Sequence, residues 1–425
     1  MAVNSPRGTS DIFGQDIFYR DFVIDRVREL FKIFNFEEII TPAFEYTEVF
    51  SRSIGEATDI VKKEMYTFCD RKGRSLTLRP EGTAAVVRAV IEKKMLDSKS
   101  LPLRLFYIGN MFRYERPQKG RMREFWQVGV EALGRKDPLI DAEIIWLLNE
   151  IFTRIGFRNL VLNINSMGCG KCREKYTEKL KEYLGEVFNS LCTDCQRRFA
   201  ENPLRIFDCK IDNCRKIAAK GPKISDFLCG ECSDHFMEVR SALTGLSIRY
   251  TIADDLVRGF DYYTGTIFEI NSKDLESAQN ALGGGGRYDN LLSEFGGPDM
   301  PAIGFALGLD RTVMLMKELG MQYIPAEKRL KIYILPAAGL DKPYFINILK
   351  VLRDAGMTCD IDYGMNSIGA GIKRASKKGF DLALIIGEDE IEKGTVAVKE
   401  LKSYRQYDLG CKDVVEKIME ITGVK

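Results

Sequence analysis

The 425 residues carry a net charge of +2, with 45% hydrophobic and 29% charged residues, the profile of a globular protein of about two or three domains. So near-neutral a balance excludes bulk attraction to nucleic acid; any such binding must come from local basic patches. A single histidine, His235, excludes mechanisms that need several histidines as bases or metal ligands. No apolar run reaches the roughly 18 residues needed to span a bilayer, and the opening MAVNSPRGTSDIFG lacks a signal peptide's apolar stretch, so no membrane association and a cytoplasmic location are expected. The 11 cysteines agree with a reducing compartment, Cys69, Cys359 and Cys411 being scattered singly.

Val23, Val27, Leu30, Phe31 and Phe34 recur at helical spacing, which predicts an amphipathic helix from about Gln15 to Phe34. EEIITPAFE follows as a strand stopped by Pro42, which can give no ladder hydrogen bond. Core packing and a dimer seam are both open to this pair. A hairpin around Arg71 to Arg74 then leads to Pro80 and a helix. Glu81 and Thr83 stand at its start, where unpaired N–H groups favour caps and anions. An ordinary cap is the plain reading of Thr83, less so of Glu81 and Arg79.

From Leu103 to Gly134 two period-two runs flank a loop in which Arg113, Arg116, Lys119, Arg121 and Arg123 place five cations within eleven residues. Arginine pairs phosphate oxygens bidentately and stays charged when partly dried, so a polyanion laid across both strands would meet several guanidiniums. Glu115, Gln127 and Glu131 among them can accept hydrogen bonds from amines or ring nitrogens. A solvated hairpin tip is the competing account.

Residues from about Ser166 to Glu238 turn charged and cysteine-rich, with Cys169 and Cys172, Cys192 and Cys195, Cys209 and Cys214, and Cys229 and Cys232 in pairs. That arithmetic suits one or two four-cysteine zinc sites in an inserted, structural subdomain; small core residues are the alternative. SIRYTIADDLVRGFDYYTGTIFEI then reads as an extended chain. Within it Arg258 costs desolvation unless an anion or acid meets it, and Tyr262 and Tyr263 are expected on opposite sides. ALGGGGRYDNL is no phosphate loop, since no Lys-Ser or Lys-Thr follows; a backbone approached by ligand and a plain glycine-rich strand turn stay open. PAIGFALGLDRTVMLM turns from strand to helix at Asp310 and Arg311, where Arg311 could pair with an acid or hold a phosphate. After Pro325 strands and helices alternate over about a hundred residues, which predicts a separate α/β domain, with Lys373, Arg374, Lys377 and Lys378 on its second helix.

Taken together these motifs resemble the class II aminoacyl-tRNA synthetases, and within them the histidyl-tRNA synthetase family. The first helix, strand and Pro42 are similar to motif one, FRYERPQKGRMREFWQ to motif two and GFALGLDR to motif three. LVRGFDYYTG and ALGGGGRYDNL resemble the two histidine-specific signatures, supported by TLRPEGT. The resemblance implies an α+β fold: a class II antiparallel sheet flanked by helices, with the cysteine-rich insertion and a C-terminal α/β anticodon-binding domain. The expected limits are 1–325 for the catalytic domain, 167–238 for the insertion and 329–425 for the last domain.

The same resemblance implies roles. Arg113 would hold the α-phosphate of ATP, Arg121 and Arg311 the β- and γ-phosphates, Phe125 the adenine ring with Arg311 on its other face, and Glu115 its amino group, with Mg²⁺ accompanying the nucleotide. Glu131, Tyr262, Tyr263 and Tyr288 would enclose the imidazole of L-histidine, while Glu81, Thr83 and Gln127 hold its α-amino group. Arg258 would bridge carboxylate and α-phosphate. Arg116 and Lys119 would face the acceptor end of tRNA(His), and the helix with Lys373, Arg374, Lys377 and Lys378 its anticodon. A homodimer is implied too. An inactive regulatory paralogue serving histidine biosynthesis would be expected to lose the phosphate arginines, the second signature or the last domain, and this chain keeps all three.

Overall fold

The structure is a computed structural model that describes residues 3–55, 58, 60–97, 101–274, 280–321, 330–337, 342–364, 367–411 and 413–422. The chain divides into two compact units, Met1–Tyr323 and Ile324–Lys425. The expected boundary between 325 and 329 lies outside the described residues.

In the first unit, α1 (Gln15–Ile33) forms where the spacing of Val23, Val27, Leu30 and Phe31 predicts it, and all four are fully buried. It ends at Asn35, whose φ of 59° places the chain in the left-handed region. The strands β1 (Glu37–Glu38), β2 (Phe44–Tyr46), β3 (Thr67–Cys69) and β4 (Ser75–Leu78) follow, with α2 (Thr47–Ile54) between β2 and β3; β2, β4 and β3 make a small antiparallel sheet. Next come α3 (Thr83–Glu92), the long hairpin β5 (Leu103–Phe112) and β6 (Glu124–Leu133), and α4 (Pro138–Ile155). Local chemistry delimits α4: Asp137 accepts from the Leu139 N–H at 2.9 Å, Pro138 opens the first turn, and Gly156 at φ 107° stops it.

After β7 (Leu160–Ser166) the insertion supplies α5 (Gly170–Glu186), α6 (Thr193–Glu201), α7 (Asp212–Ala219) and α8 (Gly230–Gly245). The chain returns through β8 (Thr251–Ile252), β9 (Thr264–Ser272), β10 (Ala281–Arg287), α9 (Leu291–Glu294), β11 (Ala302–Gly308) and α10 (Leu309–Glu318). Among the described residues eight strands form one sheet in the order β1-β5-β6-β11-β10-β9-β7-β8, in which only the edge pairs β1 with β5 and β7 with β8 run parallel. Helices α1, α4 and α10 bury one sheet face through Val27, Leu30, Ile144, Leu148 and Leu315 against Val128, Val130, Ile303 and Phe305.

The glycines of ALGGGGRYDNL sit in the middle of this sheet. A Cβ on Gly285 would collide with the Gly304 carbonyl on β11, and one on Gly284 would stand 2.8 Å from the Arg258 guanidinium. Close strand packing and room for that arginine account for the run.

One sequence expectation is corrected. Leu256 to Tyr263 is not strand but a turn-rich loop leading into β9, and the rings of Tyr262 and Tyr263 share one side, their centroids 4.7 Å apart. Alternation fails because the loop is held from outside rather than by a ladder. Asp261 accepts from Arg205 at 2.7 Å and Asn202 at 3.1 Å, and its carbonyl accepts from Arg173 at 3.3 Å.

The second unit alternates as its pattern predicts: β12 (Lys331–Pro336), α11 (Lys342–Asp354), β13 (Thr358–Ile361), α12 (Ile368–Lys377), β14 (Leu382–Ile386), α13 (Glu388–Lys393), β15 (Thr395–Glu400), β16 (Gln406–Gly410) and α14 (Val414–Thr422). Its sheet has the order β13-β12-β14-β15-β16, with β12 parallel to both neighbours and the last pairs antiparallel. Among the described residues no helix is long and apolar enough to cross a membrane.

Candidate active site

On the open face of the large sheet lies a cavity of about 1260 Å³, floored by β5, β6, β9, β10 and β11 and rimmed by the insertion. The sheet is what brings distant sequence together: Gln127 pairs with Gly308 and Glu131 with Gly304 across β6 and β11, while Gly284 pairs with Glu269 across β10 and β9.

Directly behind the lining residues Thr83 and Tyr288 stands Glu131, 1% exposed. It accepts from the Thr83 hydroxyl at 2.7 Å and from the Tyr288 phenol. Burial pushes its carboxyl up to about 8, outweighing the two hydroxyls that favour the charged form, and Glu81 adds to the rise. Gly304 makes this possible, because a Cβ there would occupy the space of the Glu131 carboxylate. Tyr262 lies edge-on to Tyr288 at 5.7 Å and stacks on Phe260 at 5.2 Å. Burial raises the phenols of Tyr262, Tyr263 and Tyr288, so they act as neutral donors.

Glu81 and Thr83 exchange the parts expected of them. The Glu81 carboxylate caps α3, accepting from the N–H groups of Thr83 at 2.6 Å and Ala84 at 2.9 Å, whereas Thr83 points its hydroxyl at Glu131. Burial still raises the Glu81 carboxyl, the two N–H groups notwithstanding. Gln127 Oε1 is shielded from solvent with no hydrogen-bond partner, on a side chain that lines the cavity. Arg79 instead braces the fold, donating to the carbonyls of Asn110 and Thr41, each at 2.8 Å.

At the outer end the arginines gather. The Arg113 guanidinium lies 5.3 Å from the Phe125 ring centroid, and its Nε donates to the Pro80 carbonyl at 2.9 Å. Arg121 pairs with Glu115 at 3.0 Å. Arg311 donates to the Gly120 carbonyl at 3.1 Å and to the Ala281 carbonyl; burial, with Arg121 nearby, disfavours its charge. It does not pair with Asp310, which meets Arg20 at 2.9 Å and the Trp126 N–H at 2.6 Å. Arg258 meets Glu269 at 2.6 Å; burial opposes its charge, but Glu269 prevails and holds the pKa above the ordinary value.

Of the residues expected to hold ATP or histidine, all but Glu131 line this cavity; Glu131 is buried directly behind Thr83 and Tyr288, which do. Lys119 lines it too, paired with Glu318 at 2.5 Å, while Arg116 is exposed on the same loop. Lys373, Lys377 and Lys378 are exposed on the second unit, and Arg374 is drawn into an ion pair with Asp362. The eight cysteines collect into two groups of four. Sequence reasoning missed Glu269, Tyr107, Gly304 and the insertion's Arg198 and Arg205, all of which line the cavity. Glu269 could have been sought as the acid that a buried Arg258 demands; Arg205 carries no such signal.

Compared with known proteins, the chain matches the family model described as histidyl-tRNA synthetase over residues 8–171 and 175–312. The chain belongs to the histidyl-tRNA synthetase family. Residues 331–421 match a family described as anticodon binding domain. A protein of Halothermothrix orenii named histidine–tRNA ligase is 44% identical over 421 residues, covering 99% of this chain and 100% of that one. One of the same name from Moorella thermoacetica is 45% identical over 417 residues, 98% of each. The crystal structure of apo S. aureus histidyl-tRNA synthetase superposes with a TM-score of 0.81 at 35% identity, covering 98% of this chain and 99% of that one.

Proposed function

We propose that this chain charges tRNA(His) with L-histidine in two steps, histidine and ATP first giving histidyl-adenylate and pyrophosphate, and the terminal ribose of the tRNA then taking the acyl group. The observation that carries the reading is a cavity walled at one end by Thr83 and Tyr288, the hydroxyls that bond the buried Glu131 carboxylate, and at the other by a cluster of arginines.

Glu131, Tyr262, Tyr263 and Tyr288 enclose the imidazole. Thr83 and the unpaired Gln127 oxygen face the α-amino group, with Glu81 adding negative charge behind them. The histidine carboxylate, already ionised, needs no base and attacks the α-phosphorus directly. Arg258 spans the carboxylate and the α-phosphate, giving up part of its pairing with Glu269, and Arg113 meets the charge that develops at phosphorus. Arg121 and Arg311 take the β- and γ-phosphates, and the adenine lies on Phe125 near Glu115. An apolar analogue of histidine would bury polar groups of this pocket without meeting the hydrogen bonds they have left to make, at about 1 to 3 kcal/mol for each unmet group, which is the source of selectivity.

Family membership implies ATP together with Mg²⁺. Mg²⁺ takes oxygen ligands and keeps several waters, and the Glu269 carboxylate in the cavity wall suits a hydrated ion of this kind. Bound there, it would neutralise charge on the leaving pyrophosphate.

Arg116 and Lys119 are assigned to the acceptor end of the tRNA, and Lys373, Arg374, Lys377 and Lys378 to its anticodon. Residues 1–325 then form the catalytic domain, with the insertion at 167–238, and 329–425 the anticodon-binding domain. A homodimer in the cytoplasm completes the reading. An inactive regulatory subunit of histidine biosynthesis is the weaker alternative, because the likeness to proteins named as ligases runs the full length of the chain.

Arg258→Ala tests the assignment. Histidine should still bind in calorimetry while adenylate formation drops about 10²- to 10³-fold, the scale of losing one charge-stabilising donor. A wild-type activation rate would remove Arg258 from the mechanism.

A further inference from the structure

The eight paired cysteines sort by space rather than by sequence order. Cys169, Cys172, Cys229 and Cys232 form an outer group from the two ends of the insertion, and Cys192, Cys195, Cys209 and Cys214 an inner one; within each group the sulfurs all lie within 4.8 Å of one another. Four thiolates around zinc at about 2.3 Å have sulfur–sulfur edges of roughly 3.8 Å. Cys169 and Cys172 are 3.6 Å apart, and Cys192 and Cys209 3.9 Å. These separations are far from a bonded sulfur pair of about 2.05 Å, and all eight are free thiols.

Helix starts present the sulfurs. Cys169, Cys192 and Cys229 are the capping residues of α5, α6 and α8, each with its second cysteine in the first turn, and Cys214 lies in the first turn of α7. Helix starts of this kind turn backbone N–H groups toward the sulfurs. Backbone N–H groups also reach the sulfurs, Cys229 to Cys172 at 3.1 Å and Cys192 to Cys214 at 3.3 Å. Four sulfurs so close could share one ion, and a closed all-sulfur tetrahedron is the structural zinc environment.

Both groups adjoin the residues that hold the loop from Leu256 to Tyr263. Arg173, next to Cys172, donates to the carbonyls of Asp261 and Tyr263. Asn202 and Arg205, between Cys195 and Cys209, donate to the Asp261 carboxylate.

We propose that the insertion binds two zinc ions, one in each four-cysteine group, and that they brace the loop carrying Arg258, Tyr262 and Tyr263 through the positioning residues Arg173 and Arg205. Binding exchanges thiol protons for the metal, and the protons pass to solvent. The bracing half of the proposal rests on the site reading above; the metal content does not.

Elemental analysis of the full chain purified without chelator tests the first half, with two zinc ions per chain expected. Cys172→Ser and Cys195→Ser should each retain one. A preparation holding one zinc or none, iron in place of zinc, or fewer free thiols through disulfide formation would overturn the two-site assignment, and the wild-type count decides even if the variants fail to fold. For the bracing, Arg205→Ala should keep both zinc ions yet weaken histidine binding, read by calorimetry, about tenfold. Unchanged affinity in that variant would overturn it, whereas a wild type that binds zinc but no histidine would instead remove the site reading.

Discussion

Glu131 controls how the cavity responds to pH. With its carboxyl at about 8, Glu131 holds a proton at neutral pH. Free imidazole titrates near about 6.5. A Glu131–imidazole pair is best served by one proton between the two partners. Below about 6.5 the incoming histidine carries a second proton that must be shed; above about 8 neither partner holds one, and a proton must be taken up. Histidine affinity is therefore expected to be highest between these values and to fall on either side by up to tenfold per pH unit. Calorimetry across the range checks it. Glu131→Gln should bind more weakly and lose the fall assigned to Glu131 on the alkaline side, and an alkaline limb identical in both proteins would assign it elsewhere. The carboxylate could be named as a histidine reader only because motif resemblance supplied the role; its hydroxyl partners lie 48 and 157 residues away and Gly304 meets it only through strand pairing, so no local pattern encodes the set.

Elements explain why those residues meet. The register of β6 against β11 sets Gly304 opposite Glu131, so bulk added at Gly304 acts on the pocket directly. Gly304→Ala is expected to cost about 1 to 3 kcal/mol of stability as overpacking and to reduce histidine affinity beyond detection, measured by thermal unfolding and calorimetry. Full affinity in a folded variant would mean that Glu131 has room the geometry denies it. Long periodic elements such as α1 and the β5–β6 hairpin were legible in sequence because burial imposes their period. The loop from Leu256 to Tyr263 was not, because its shape is fixed by Arg173, Asn202 and Arg205 from the insertion, and no local pattern encodes a partner more than fifty residues away. The same limit hid the sorting of the cysteines: their number was plain, their grouping was not.

Over the whole molecule, a net charge of +2 leaves nucleic-acid binding to patches, and this makes the two proposed tRNA contacts separable from chemistry. Lys373→Glu with Lys377→Glu, on exposed positions of α12, should raise KM for tRNA(His) about tenfold or more and flatten its salt dependence, while leaving adenylate formation unchanged. Aminoacylation kinetics at several salt concentrations would read this, and an unchanged KM would take the anticodon off that helix. The alternation of the second unit followed from its period; what the sequence left open was which cations are tied down, as Arg374 is to Asp362. The central claim, that the cavity joins a histidine pocket to an ATP-binding arginine cluster, is tested most directly by exchange of labelled pyrophosphate into ATP by active-site-titrated protein across a panel of amino acids. The account predicts exchange that depends on L-histidine and is absent with the other amino acids; no exchange with histidine, or exchange supported equally by an apolar amino acid, would contradict it.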